Sequence, residues 1–183
     1  MSIEQRLVVI HGAPTPPGRL FRATTEVVEL GRSLLGEEAV DLIDLGSMPF
    51  GSGADATPAV AAVHAASAVV MVSPVYRASF PGALKWLIDE LPVDALKFKP
   101  VGIVAMGGSP HHYLAVDRHL RDVLAWFGAL VAPTAVYATG KSFDDDGAPR
   151  AELRAEIGLL VRGVVALAAQ PVIAPEPLAA TAW

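Results

Sequence analysis

Three short segments concentrate the residues able to bind or position a ligand: GAPTPPGR (12–19), SPVYRASFPG (73–82) and GGSPHH (107–112). The first leads from an apolar run into an amphipathic one, so it ends at a helix N-terminus. Unpaired amides and the positive end of the helix dipole favour a phosphate there. Gly12 and Gly18 permit a tight path, Thr15 adds a hydroxyl and Arg19 a fixed positive charge. In the second segment Tyr76, Arg77, Ser79 and Phe80 follow an apolar run and precede a helix whose first turn holds Pro81 and Gly82. An aromatic, a cation and backbone amides in that place are suited to flank a planar ligand with polar edges. In the third, Gly107 and Gly108, ahead of Ser109, let backbone approach such a ligand closely, because glycine has no side chain to intervene. Each segment also serves as an ordinary strand-to-helix turn, so only their convergence makes a site.

Other chemistries lack their residues. There is no Cys, hence no thiol nucleophile, disulfide or cysteine-ligated metal. The first segment has neither the G-K-(S/T) of a P-loop nor G-x-G-x-x-G, and no G-x-S-x-G elbow occurs anywhere. His111 and His112 are adjacent, so on a helix they point about 100° apart. With only His119 following, no metal site is expected. His64 reads as structural and Asp144, Asp145 and Asp146 as a solvated charge run; no catalytic acid, base or nucleophile is assigned.

The elements that must position these segments follow from apolar periodicity. At 183 residues the chain is long enough to bury its own core as one domain over 1–169, with 170–183 as a proline-rich tail. Hydrophobic residues make up 52% and mean hydropathy is +0.44, yet no uninterrupted apolar stretch approaches the roughly 18 residues of a spanning helix. A net charge of -5 argues against a nucleic-acid surface. The opening MSIEQRLVVIHG enters a strand at once, without a signal-peptide pattern, which makes the cytoplasm the expected location. Apolar runs at 6–12, 39–45, 68–74, 101–108 and 129–139 predict five strands, the last at an edge or bulged because of Pro133. Between and after them, apolar residues three or four apart predict helices; Leu20, Ala23, Val27, Leu30 and Leu34 mark the first, and Val116, Leu120, Val123, Leu124 and Phe127 the fourth. Five strands alternating with five helices predict an α/β three-layer sandwich: a parallel sheet of order 2-1-3-4-5 with helices on both faces. In such a sheet the loops after strands one, three and four meet beyond the carboxyl ends, and these are the three segments above.

Two of the segments resemble a known family. SPVYRASFPGALKWLIDELP (73–92) resembles the (S/T)PVYKASYxGxLKxxLDxLP signature of NAD(P)H-dependent FMN reductases, and GGSPHHYLAVDRHLRDVLAWFGA (107–129) resembles that family's GGSxxHxLAxxxxLRPxLxxxGA. The likeness runs over roughly 6–139 and is nearest to the reductases that supply reduced FMN to alkanesulfonate-type two-component monooxygenases. It implies a flavodoxin-like homodimer or homotetramer that uses FMN and NAD(P)H, with a monooxygenase as possible partner. Carried over, Pro74, Val75, Tyr76, Arg77 and Ser79 border the flavin ring and ribityl chain. Gly107, Gly108 and Ser109 present backbone to the pyrimidine edge, and His112 matches the family His. His119 stands where this subgroup often carries an extra residue that makes a π-bulge.

The phosphate loop departs from the pattern. Where the family resembles GSPxxPSR(S/T), this chain has Ala13, Gly18 and Leu20, so three hydroxyls are missing while the amides and Arg19 remain. At about 1.5–3 kcal/mol per hydrogen bond to a charged group, such losses weaken FMN binding, which suits a flavin that must leave. The alternatives are a quinone or azo-type reductase with tightly held FMN, and a flavodoxin-like binding protein that no longer holds FMN.

Overall fold

The computed structural model describes residues 5–48 and 55–177. Strands β1 (Leu7–His11), β2 (Val40–Asp44), β3 (Ala68–Pro74) and β4 (Pro100–Met106) form parallel pairs, and the edge strand comes in two pieces, β5 (Leu130–Val131) and β6 (Val136–Ala138). The order is β2-β1-β3-β4-β5, with β6 also on β4. This is the flavodoxin-like order that the periodicity predicts. Helices α1 (Arg19–Leu35), α2 (Thr57–Ala65), α3 (Gly82–Asp89), α4 (Ala115–Trp126) and α5 (Ala151–Ala168) connect and follow the strands.

The central strands are apolar throughout because each face of the sheet is covered. On β1, Val8 and Ile10 pack with Leu84 and Leu87 of α3 and Leu120 of α4, while Leu7 and Val9 pack with Val27 of α1 and Ile157 of α5. The alternation continues on β3, where Met71 joins the first layer and Val70 the second. Gly102 on β4 lets α5 come close: a Cβ there would stand 3.1 Å from Val164 Cγ2.

The split of the last strand has a local cause. Pro133 has no N–H to give to the ladder, and the chain leaves β4 between Ala132 and Ala135. Arg121 covers the freed carbonyls, donating to Ala132 O (2.7 Å) and Pro133 O (3.2 Å), while its Nε donates to Asp117 (2.9 Å).

After α5, residues 171–177 run without regular structure, and Pro177 lies so close to Gly128 that a Cβ there would be 2.3 Å from its Cγ. Glu176 pairs with Lys97. The rest of the predicted tail, 178–183, and residues 49–54 of the Gly- and Ser-rich loop lie outside the described residues. Among the described residues no helix is long and apolar enough to cross a membrane, and no group of three or more His, Asp or Glu is placed to hold a metal ion.

Candidate active site

The topology brings the three segments to the carboxyl end of the sheet. In the first, the Gly12 N–H donates to Val72 O (2.7 Å), so it belongs to the β1–β3 ladder and is not free for a ligand. Gly12 is glycine for packing: a Cβ would stand 3.1 Å from Leu84 Cδ2 and 3.2 Å from Val72 O. Thr15 is exposed, and its carbonyl lies 2.7 Å from where a Cβ on Gly46 would be, so the loop after β2 rests on this one. Gly18 caps α1 with no side-chain hydrogen bond, leaving the first-turn amides of Arg19, Leu20 and Phe21 without intrahelical acceptors. Arg19 is exposed and leans toward the loop after β6, with Nη1 3.7 Å from a Cβ position on Gly140.

Two of the three missing hydroxyls acquire an explanation. Ala13 and Leu20 are 5% and 7% exposed and belong to the core layer under α1 and α5. Gly18 differs: it is exposed and no atom lies within 4 Å of where its Cβ would be. Of the three departures, this one leaves open space at the helix N-terminus.

The second segment folds into a two-residue turn. Tyr76 N–H donates to Ser79 O (2.8 Å) and Ser79 N–H to Tyr76 O (3.0 Å). Between them Arg77 (φ 51°) and Ala78 (φ 60°) both adopt left-handed backbone, the requirement of a type I′ turn. Glycine or asparagine normally takes such positions, and a left-handed Ala costs about 1–2 kcal/mol. Strain of this kind is concentrated at functional sites. The turn exposes Tyr76, Arg77 and Ala78 and leaves the amides of Arg77 and Ala78 without acceptors among the described residues. Pro74 is buried as the last residue of β3, and Val75 donates its N–H to Met106 O (2.8 Å).

In the third segment Gly107 donates to Ala138 O (3.0 Å), so its amide too is engaged within the sheet. A Cβ on Gly107 would stand 2.0 Å from the Tyr137 hydroxyl. That hydroxyl donates to Ser109 O (2.7 Å) and thereby pins the loop to β6. Burial pushes the Tyr137 phenol above its usual range. Sequence reasoning missed Tyr137, which reads as one more aromatic on an edge strand. The donors left for a ligand are the amides of Gly108 and Ser109, with Gly108 exposed and no atom near its Cβ position.

The family model described as NADPH-dependent FMN reductase matches residues 5–144. The chain is 33% identical over 168 residues to an FMN reductase (NADPH) of Pseudomonas aeruginosa, covering 87% of this chain and 90% of that protein. It is 34% identical over 169 residues to the NADH-dependent FMN reductase SfnF of Pseudomonas fluorescens, covering 87% and 89%. The chain belongs to the NADPH-dependent FMN reductase family. Among solved structures, an NADH:FMN oxidoreductase (EMOB) in its apo form superposes with a TM-score of 0.73 at 22% identity, over 88% of this chain and 89% of that one. A WrbA-like flavodoxin of Agrobacterium tumefaciens gives 0.69 at 17%, over 91% and 98%. These two likenesses establish the flavodoxin-like fold.

In this FMN reductase the histidines divide by environment. His112 lies on a short 3-10 turn and is exposed, with its amide directed at Ser109 O (3.5 Å). His119 is exposed on α4, and its Nδ1 meets Ser79 Oγ at 2.9 Å, tying that helix to the strained turn. Helix α4 runs as a regular α-helix past His119, with no π-turn. His11 is 2% exposed at the end of β1. Thr24 Oγ1 donates to Leu20 O (3.0 Å), so it accepts from His11 at 2.8 Å and the imidazole proton is on Nδ1. Burial holds this imidazole below its ordinary value of 6.5, partly offset by the Asp44 carboxylate.

An apolar cavity of about 510 Å³ lies elsewhere, between the edge strand and α5, with Leu159, Leu160 and Leu167 in its lining. No residue of the three segments lines it.

Proposed function

We propose that this reductase binds FMN across the three strand-end segments, oxidises NAD(P)H there, and releases reduced flavin to a monooxygenase component. Carrying the reading are the unengaged backbone donors at Arg77–Ala78, at Gly108–Ser109 and in the first turn of α1, all at the carboxyl end of one sheet. When both ligands are bound, NAD(P)H delivers two electrons and a proton to the flavin, and a second proton comes from solvent.

Each group of this chain then has a task in holding and orienting. The α1 amides receive the flavin phosphate with the helix dipole behind them, and Arg19 adds charge at the rim. Pro74, Val75 and the Tyr76–Ser79 turn border the ring and ribityl chain, and the Arg77 and Ala78 amides point donors at its polar edge. Gly108 and Ser109 supply further donors that stabilise negative charge developing on the reduced pyrimidine. Gly12 and Gly107 act by allowing close packing beneath the ligand, and Thr15 lies at the mouth. No side chain is assigned as acid or base.

With Ala13, Gly18 and Leu20 at three positions where the family has hydroxyls, the phosphate end relies on amides, the exposed Thr15 and the peripheral Arg19, which favours flavin as a substrate that departs over flavin as a resident group. Exposed Trp126 at the end of α4 is suited to a homodimer or homotetramer contact. Initial rates measured with FMN and NADPH varied together test the assignment. Intersecting lines and purification without bound flavin are expected. Parallel lines, with a yellow protein that retains flavin through gel filtration, would assign the resident-flavin mode instead.

A further inference from the structure

We propose that the cavity between the Arg77–Ala78 turn and the start of α4 receives the adenosine-phosphate end of the nicotinamide dinucleotide, with Arg118 as its phosphate contact; this rests on the reductase reading above. The cavity measures about 470 Å³, and Ala78 forms part of its wall, so it adjoins the turn that borders the flavin. Sites for small ligands commonly enclose about 300–1,000 Å³. A dinucleotide that lays its nicotinamide over the flavin must carry its other half past this rim.

The lining has the chemistry for that half. Three of the five histidines of the chain, His111, His112 and His119, line it together with Arg118. A protein of net charge -5 repels an anionic dinucleotide as a whole, so its attraction has to be local. The two arginines of α4 are in contrasting states. Arg121 is engaged by Asp117 and by the carbonyls of the strand break, whereas the exposed Arg118 guanidinium has no hydrogen-bond or ion-pair partner among the described residues. Tyr113, 58% exposed on the same rim, offers a face for an adenine ring. Asp122, the one carboxylate in the lining, is suited to accept from a ribose hydroxyl.

Titration calorimetry on the full chain tests this with adenosine 2′,5′-bisphosphate and ADP as probes, on the unsubstituted protein and on Arg118→Ala. At least one probe is expected to bind and to compete with the dinucleotide, and Arg118→Ala is expected to weaken it about tenfold or more. Loss confined to the bisphosphate assigns Arg118 to a 2′-phosphate, and equal loss with ADP assigns it to the diphosphate. The proposal is overturned if neither probe binds, or if both bind Arg118→Ala as tightly as the unsubstituted protein. FMN affinity, read separately by flavin fluorescence, is expected to move less than about twofold in Arg118→Ala. Failure of the reductase reading would appear instead as absence of FMN binding in the unsubstituted protein.

Discussion

Replacing Gly107 by Ala places a methyl group 2.0 Å from the Tyr137 hydroxyl, 3.1 Å from its Cζ and 3.3 Å from Val75 Cγ2. Real Cβ contacts essentially never fall below 3.0 Å, so the phenol or the loop has to move by about 1 Å. Either movement breaks the Tyr137–Ser109 bond, a loss of about 1 kcal/mol, and overpacking adds further strain, for a total of about 1–3 kcal/mol. In a chain of this length each kcal/mol lowers Tm by about 2–4 °C. The informative experiment is the cycle with Tyr137→Phe, read by denaturant unfolding. Phe keeps the ring and deletes the clashing oxygen, leaving the 3.1 Å contact as the closest. Gly107→Ala should therefore cost at least about 1 kcal/mol less in the Tyr137→Phe background than alone. FMN affinity should fall in both single variants, because Gly108 and Ser109 lose their anchor. Equal costs of Gly107→Ala in the two backgrounds would refute the account of why residue 107 is glycine.

Three further outcomes follow from single positions. Gly18→Ser puts a hydroxyl into open space at the α1 N-terminus, where φ is -142° and any residue fits, and should tighten FMN binding about tenfold in a fluorescence titration; an unchanged affinity would place the phosphate elsewhere. Ala78→Gly removes left-handed strain at the cost of added chain entropy, so a net stabilisation of about 0.5–1 kcal/mol is expected by denaturant unfolding, and a loss of stability would contradict the I′ assignment. His11 has a folded pKa below its ordinary 6.5, so the unfolded chain binds the proton more readily. Its contribution is complete above pH 6.5 and is lost as pH falls through the window beneath it. His11→Asn should flatten the acid side of a stability-against-pH curve, and an unaltered slope would remove His11 from that account.

Sequence periodicity revealed what depends on burial alone. The run 68–74 is wholly apolar because β3 is covered on both faces, and the predicted strand coincides with the observed one. Pro133 pointed to an edge position or a bulge, since a missing N–H is a local property; the strand is at the edge, and it is broken there rather than bulged. The phosphate, ring and pyrimidine segments were legible as strand-end loops, but the state of their amides was not. Gly12 reads in sequence as a tight turn and Gly107 as backbone close to a ligand, and the amides of both are engaged, by Val72 and Ala138, because backbone pairing is decided by neighbours distant in the chain. Leu20, which apolar spacing places on the buried face of the first helix, is a core residue of α1, so packing accounts for the hydroxyl missing at that position. Tyr137 carried no signal until its hydroxyl was seen against Gly107. The left-handed Ala78 was equally silent, since Ala is not a residue that announces a positive φ.

The central claim is that these strand-end loops carry FMN while NAD(P)H reduces it. Anaerobic mixing of the protein in catalytic amount with excess FMN and NADPH, or NADH, tests it by following flavin absorbance. The account predicts full bleaching of the flavin, one dinucleotide oxidised per FMN, at a rate proportional to protein concentration. Flavin absorbance that stays unchanged with either dinucleotide, beyond the rate without protein, would contradict it.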